Sequence, residues 1–385
     1  MRSLRIGLVV LLATSSLADF GIAQSWTSTH APTNSWTCIA SSGDGRTLLV
    51  GASAGRRLYT STNSGASWFS NSVPLLEWIS VAASADGSVL TAGTSPGSVY
   101  VSTNAGLTWT TSNVPSTIWS SVAISADGTR LAAVASSDGP PIYVSTNSGA
   151  TWSSNSVVGM PGARVASSAD GSRLVLLTDG SVYASTNSGA TWTPQSHVGV
   201  ANQNSPIACS ADGTRLAVAL RNDGIYTSQD GGWTWNSNNV PGYSWNAIAC
   251  SADGTRLAAA VLNGGIFTSD DAGITWQSNS APVETWSSLA SSADGNRRVV
   301  SSGNAGVWAL QTAKPALLNV STTSSNLLVS WLLPSTNVVL QESPDLTAGN
   351  WQASANVPAL NLTNLQDEVL VPMSNSDGFF RLVTP

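Results

Sequence analysis

Lysine is all but missing from this sequence: Lys314 stands alone in 385 residues, and charged side chains of both signs amount to only 9%. The surface must therefore be wetted largely by Ser, Thr and Asn. With a net charge of −6 and a pI near 4.8, no cationic patch is available to displace counterions from a phosphate backbone, which excludes nucleic acid as a partner. Histidine is equally scarce. His30 and His197 are too few and too scattered for a metal cluster, and no motif points to a cofactor, so neither metal nor cofactor is expected. Three cysteines, an odd number, cannot build a full disulfide framework in an exported chain, and Cys38, Cys209 and Cys250 are expected as buried thiols.

Long apolar runs are confined to the start. Met1, Arg2 and Arg5 precede the run Ile6 to Leu12, which trails through small residues to Gly21-Ile22-Ala23, a small-x-small cleavage pattern. Residues 1–23 therefore read as a signal peptide, with cleavage after Ala18 as the rival. The stretch is short for a spanning helix and nothing later replaces it, so no membrane span is expected and the chain is expected in the periplasm, on the cell surface or outside.

What is present is repetition. Asp-Gly pairs recur at Asp44, Asp86, Asp127, Asp170, Asp212, Asp253 and Asp294, in steps of 41 to 43 residues. A second landmark, S-x-[N/D]-x-G-x-[S/T]-W, keeps step with them. Its third residues are Asn63, Asn104, Asn147, Asn187, Asp230 and Asp271, and it ends at Trp68, Trp109, Trp152, Trp192, Trp235 and Trp276. Periods near 40 residues, rich in β-branched and small residues and cut by turns, predict the four-stranded blades of a propeller. In one repeat the strands are expected at residues 245–251, 255–260 and 265–269, with a fourth opening at Trp276. The seventh copy runs out before its box, while Trp26 precedes Trp36 by the same ten residues that separate Trp68 from Trp78. A strand at Trp26 is thus expected to complete the seventh blade and remove the open sheet edge. The expected fold is all-β: a seven-bladed propeller over residues 24–312, then a small β-sandwich over 313–385, where the period vanishes and short alternating runs take over.

The boxes at Ser228 to Trp235 and Ser269 to Trp276 resemble the Asp-box, or BNR, repeat, and the resemblance covers about three quarters of the chain. That repeat is shared by sialidases, xyloglucanase-type glycosidases, sortilin-type receptors and photosystem assembly-factor propellers, so it implies fold far better than activity. The tail is similar to C-terminal modules on exported proteins of environmental bacteria. Four boxes carry Asn in place of Asp. In an Asx turn either side chain accepts from backbone N–H groups, so the boxes are expected to be structural.

In a meander the Asp-Gly turns and the boxes share one face, and the links between repeats share the other. The second face varies, at Arg56-Arg57, Asp138 to Pro141, Asp179 and Arg221 to Asp223, and function is expected there. Eight residues before each repeat aspartate stand Trp36, Trp78, Trp119, Gly162, Asn204, Trp245 and Trp286. Two readings are open. The tryptophans form an aromatic rim with a hollow at Gly162 and Asn204, where a long link carrying Gln195, His197, Asn202 and Gln203 binds a glycan, peptide or protein; or they pack beneath the links.

Catalysis finds less support. Arg130, Arg173, Arg215, Arg256 and Arg297 recur beside the Asp-Gly turns, on the wrong face for a sialidase-like arginine trio. Glu77, Glu284, Asp138, Asp179 and Asp223 belong to the variable face, but no spacing selects a pair. The expectation is a non-catalytic binding or scaffold protein. The alternative is a glycoside hydrolase or lyase, which would require two of those carboxylates within about 5 to 10 Å of each other.

Overall fold

The computed structural model describes residues 25–53, 56–136, 141–156, 163–199, 205–238, 240–312, 318–323, 326–334, 337–344, 351–372 and 379–383. The expected signal peptide lies outside them. All regular structure there is β-strand, and no helix is long and apolar enough to cross a membrane.

The strands form four-stranded antiparallel sheets in simple meander order. Unit one comprises Trp36–Ser41, Leu48–Ala52, Tyr59–Ser61 and Phe69–Ser70, and units two to five repeat the pattern from Trp78–Ala83, Trp119–Ile124, Arg164–Ser167 and Ile207–Cys209. Unit six (Trp245–Cys250, Leu257–Gly264, Ile266–Ser269, Gln277–Ser278) joins unit seven (Glu284–Ser291, Arg297–Ser302, Gly306–Gln311) because its long second strand pairs Leu262 with Thr285. The last strand of unit seven takes its neighbour from the other end of the chain: Thr27 pairs with Ala309 and Ser28 with Trp308. The strand thus begins one residue after Trp26, whose side chain is buried between units six and seven.

The second strands of units one to five are buried at every position, as in LLVGA (48–52), LTAGT (90–94) and LAVAL (216–220), because each sheet is covered on both faces by its neighbours. The turn face is stitched by a cycle of peptide hydrogen bonds. Gly43 N–H donates to Ala85 O, Ala85 to Ala126, Ala126 to Ala169, Ala169 to Ala211, Ala211 to Ala252, Ala252 to Ala293, and Ala293 back to Gly43, all at 2.6 to 2.8 Å. Arg256 Nη1 adds a bond to Asp294 O at 2.7 Å, and Arg130 and Arg297 make similar bonds to Asp170 O and Ser64 O. These arginines tie neighbouring turns together.

The three thiols are free, and Cys250 Sγ donates to Cys209 O at 2.9 Å. Burial pushes the Cys38 and Cys209 thiols up to about 12. Beyond residue 318 two further sheets form, one of Asn319–Thr322, Asn326–Leu332, Gln366–Pro372 and Ala359–Asn361, the other of Gln352–Ala353, Val339–Ser343 and Phe379–Val383. Val329, Trp331, Leu340 and Val369 form the apolar core that the two share.

Candidate functional site

The boxes are turns closed on themselves. In the first, Gly65 N–H donates to Ser61 Oγ (2.8 Å), Ser67 N–H to Asn63 Oδ1 (2.8 Å), and the Trp68 indole to Gly65 O (3.1 Å). Asn63 Nδ2 also donates to Ser67 Oγ at 2.8 Å. In the Asp versions that last bond runs the other way, from Thr234 Oγ1 to Asp230 Oδ2 and from Thr275 Oγ1 to Asp271 Oδ2, both at 2.6 Å. The geometry is the same and only the direction of donation changes. The same bonds recur at Asn104, Asn147 and Asn187 and at Trp109, Trp152, Trp192, Trp235 and Trp276. Every polar atom that the motif aligns is engaged within its own turn.

On the opposite face, Trp36, Trp78, Trp119, Trp245 and Trp286 are at most 1% exposed. Each lies between its own sheet and the preceding one. The indoles of Trp78, Trp119, Trp245 and Trp286 donate to Arg56 O, Gly97 O, Pro241 O and Gly264 O, which fixes the hairpins and links above them. Trp36, Trp78, Trp119 and Trp245 also meet the third-strand ring of their own unit edge-on, at 5.3 to 5.6 Å. Of the two sequence readings, this burial supports packing.

Gly162, Asn202, Gln203, Asn204 and Asp138 lie outside the described residues. A complementary pattern on the second strands nonetheless explains why two tryptophans are dispensable. Seven residues after each repeat aspartate stand Gly51, Gly93, Val134, Leu177, Ala219, Ala260 and Ser301. Where the next unit opens with tryptophan this residue is small: a Cβ on Gly51 would lie 2.7 Å from Trp78 Cβ, and one on Gly93 3.1 Å from Trp119 Cβ. Ahead of Gly162 and Asn204 it is Val134 or Leu177, both buried in the interface. Bulk moves from one side of the interface to the other. The described part of the long link is anchored through Val198, with Ser196 and His197 exposed. Val198 is buried, its N–H donates to Gly180 O (2.9 Å), and the His197 ring lies against Gly180.

Among exposed polar side chains such as Arg56, Glu77, Asp179 and Arg221, the variable face also exposes apolar ones. Leu75 (59%), Ile118 (49%), Tyr243 (40%) and Val283 (74%) sit on four links between units, one to three residues ahead of a buried tryptophan. A reading that follows the tryptophans passes over them; the available signal is an apolar residue within three positions ahead of four of the five tryptophans, Trp36 being the exception. Near the start of the unit-four inner strand, Arg164 donates through Nη1 to Ser120 O, and no carboxylate pairs with it among the described residues. Burial lowers its pKa. Among the acids, Asp223 accepts from Tyr226 Oη at 3.2 Å, Glu77 and Glu284 belong to units two and seven, and Asp179 occupies a hairpin turn of unit four. A small cavity of about 10 Å³ between units five and six lies beside the turns, lined by Arg215, Thr227, Gln229 and Cys250, with no carboxylate in its wall.

No family model matches the chain, and no curated protein does. Solved structures do. YCF48 from Cyanidioschyzon merolae superposes with a TM-score of 0.59 at 16% identity over 75% of this chain and 98% of that one, and a structure described as YCF48 bound to D1 peptide gives 0.57 at 14% over 75% and 97%. The GH74 xyloglucanase from Xanthomonas campestris gives 0.58 at 15% over 80% of this chain and 59% of that one. At these identities the likeness is one of fold: the chain is an all-β protein of repeated four-stranded antiparallel sheets, structurally similar to β-propellers.

Proposed function

We propose that the chain is an exported, seven-bladed propeller of the Asp-box kind with a C-terminal β-sandwich, and that it serves as a non-catalytic binding or scaffold protein whose partner lies on the variable face. The seven-membered hydrogen-bond cycle and the pairing of Thr27–Ser28 with unit seven support the blade count. One observation carries the functional reading: large apolar side chains stand exposed at Leu75, Ile118, Tyr243 and Val283 on the links between units, Tyr243 with one side of its ring on Trp245 and Phe267, whereas the exposed Leu107, Trp233 and Ile274 of the other face belong to the boxes. Separate apolar points on a polar ground suit a peptide or protein better than a glycan, and one solved neighbour carries a peptide in its description. The glycoside hydrolase alternative draws on the xyloglucanase likeness and would rest on a pair among Glu77, Glu284, Asp138, Asp179 and Asp223.

The test is to screen residues 24–385 against peptide and glycan arrays, then titrate the best ligand against Leu75→Asp/Val283→Asp. Both residues are exposed, so the melting temperature should hold while Kd rises at least about tenfold. Ile274→Asp, on the box face, should change nothing. Unchanged affinity in the first variant, or turnover of a polysaccharide by the parent, would overturn the proposal.

A further inference from the structure

Unit one departs from the other six at two neighbouring positions. The hydrogen-bonded cycle has alanine at 85, 126, 169, 211, 252 and 293 but glycine at 43. Two residues after the repeat aspartate the other units have Ser88, Thr129, Ser172, Thr214, Thr255 and Asn296, all short and polar; unit one has Arg46. The ring itself accounts for little of this. Gly43 has no positive φ to explain it, a Cβ there would stand 3.2 Å from Ala85 O where the other six units carry alanine in the same cycle, and the Arg46 carboxylate contact, with Asp44 of its own turn, is a loose 3.8 Å.

Both departures meet the C-terminal sheets. A Cβ on Gly43 would lie 2.9 Å from Leu333 Cδ2, and Arg46 Nη2 donates to Asn337 Oδ1 at 2.6 Å across 291 residues of chain. Leu333 N–H donates to Leu365 O, and Leu362 and Leu365 pack on the cluster of Ala85, Ala126, Ala169, Ala211 and Ala252. Three leucines thus form a knob seated on the small residues of the cycle.

We infer that the C-terminal sheets are a cap over the turn-face mouth of the ring, and that Gly43 and Arg46 are the key that holds the cap in one of seven near-equivalent rotational positions. An apolar knob on a ring of alanines has little preference for any position. Directional contacts must break the pseudo-symmetry, and specificity of this sort combines an attraction in the right place with a misfit in the wrong ones. In any other position the Leu333 side chain would meet an alanine methyl, and Asn337 would face a side chain too short to reach it. The seven turn carboxylates around the mouth are acceptors only and so offer Asn337 Oδ1 no rival donor, and each already accepts from its own turn, as Asp86 does from Ser84 Oγ and Ser88 N–H. With this mouth covered, ligands reach the ring from the variable face.

Hydrogen exchange on the full chain tests both parts. Leu362→Asp/Leu365→Asp should speed exchange in peptides spanning Ala85, Ala126 and Ala169 at least about tenfold, with the inter-sheet tryptophan fluorescence unchanged. Arg46→Ser and Asn337→Ala should each give a smaller acceleration, and the double variant should be no faster than either single one, because both remove one bond. Ser88→Arg should leave exchange as in the parent. Parental exchange in a folded leucine variant would overturn the cap, and additive effects of Arg46→Ser and Asn337→Ala would overturn the key.

Discussion

Asparagine and aspartate exchange freely in the boxes because the fourth residue after them is a hydroxyl, which accepts from the amide of Asn63 and donates to the carboxylate of Asp271. The two differ only in acid. Hydrogen bonds from the Thr275 side chain and backbone hold the Asp271 carboxyl below its ordinary 3.8, so the stability it contributes is present above that value and is lost as pH falls through the lower folded one. Asp271→Asn should therefore match the parent within about 0.5 kcal/mol at pH 7, and become the more stable of the two near pH 3, as read from urea midpoints. The turn at the box was legible in the sequence because Asx-turn chemistry is local. The exposure of Leu75, Ile118, Tyr243 and Val283 was not, since an apolar residue beside a tryptophan is expected in a core as often as on a surface.

At the level of the strand, the position seven residues after the repeat aspartate and the one opening the next unit behave as a single volume. The sequence suggests a hollow at Gly162 and Asn204 only when those positions are read alone. Their complement, Val134 and Leu177, belongs to the preceding sheet, and pairing the two columns needs the interface register that the structure supplies. The exchange can be imposed elsewhere. Gly93→Val should drive a side chain into Trp119 and lower stability by about 1 to 3 kcal/mol. Trp119→Gly alone should cost about 3 to 5 kcal/mol. The double variant, which copies the natural Val134 and Gly162 pairing, should be more stable than Trp119→Gly alone in urea denaturation; additive losses would contradict the shared volume.

For the molecule as a whole, the two ends of the repeat region meet in one sheet, so removing residues 24–33 should act on all units at once. It uncovers the edge at Trp308 and Ala309 and empties the site of Trp26. A loss of about 3 to 5 kcal/mol is expected, together with concentration-dependent light scattering from the freed edge. The ten-residue interval before Trp36 made this closure legible, whereas the seating of the tail was not, because Gly43 and Arg46 look like ordinary drift in a degenerate repeat. The peptide cycle at the turn face has one more consequence. An α-helix always leaves unanswered donors at one end and acceptors at the other, and its aligned peptides sum to a dipole. A circuit in which Ala293 donates back to Gly43 has neither terminus nor pole. Excising one unit would leave a donor and an acceptor facing each other across a gap one sheet wide, so the repeat number cannot drift by single steps unless the whole circle re-forms at a new radius.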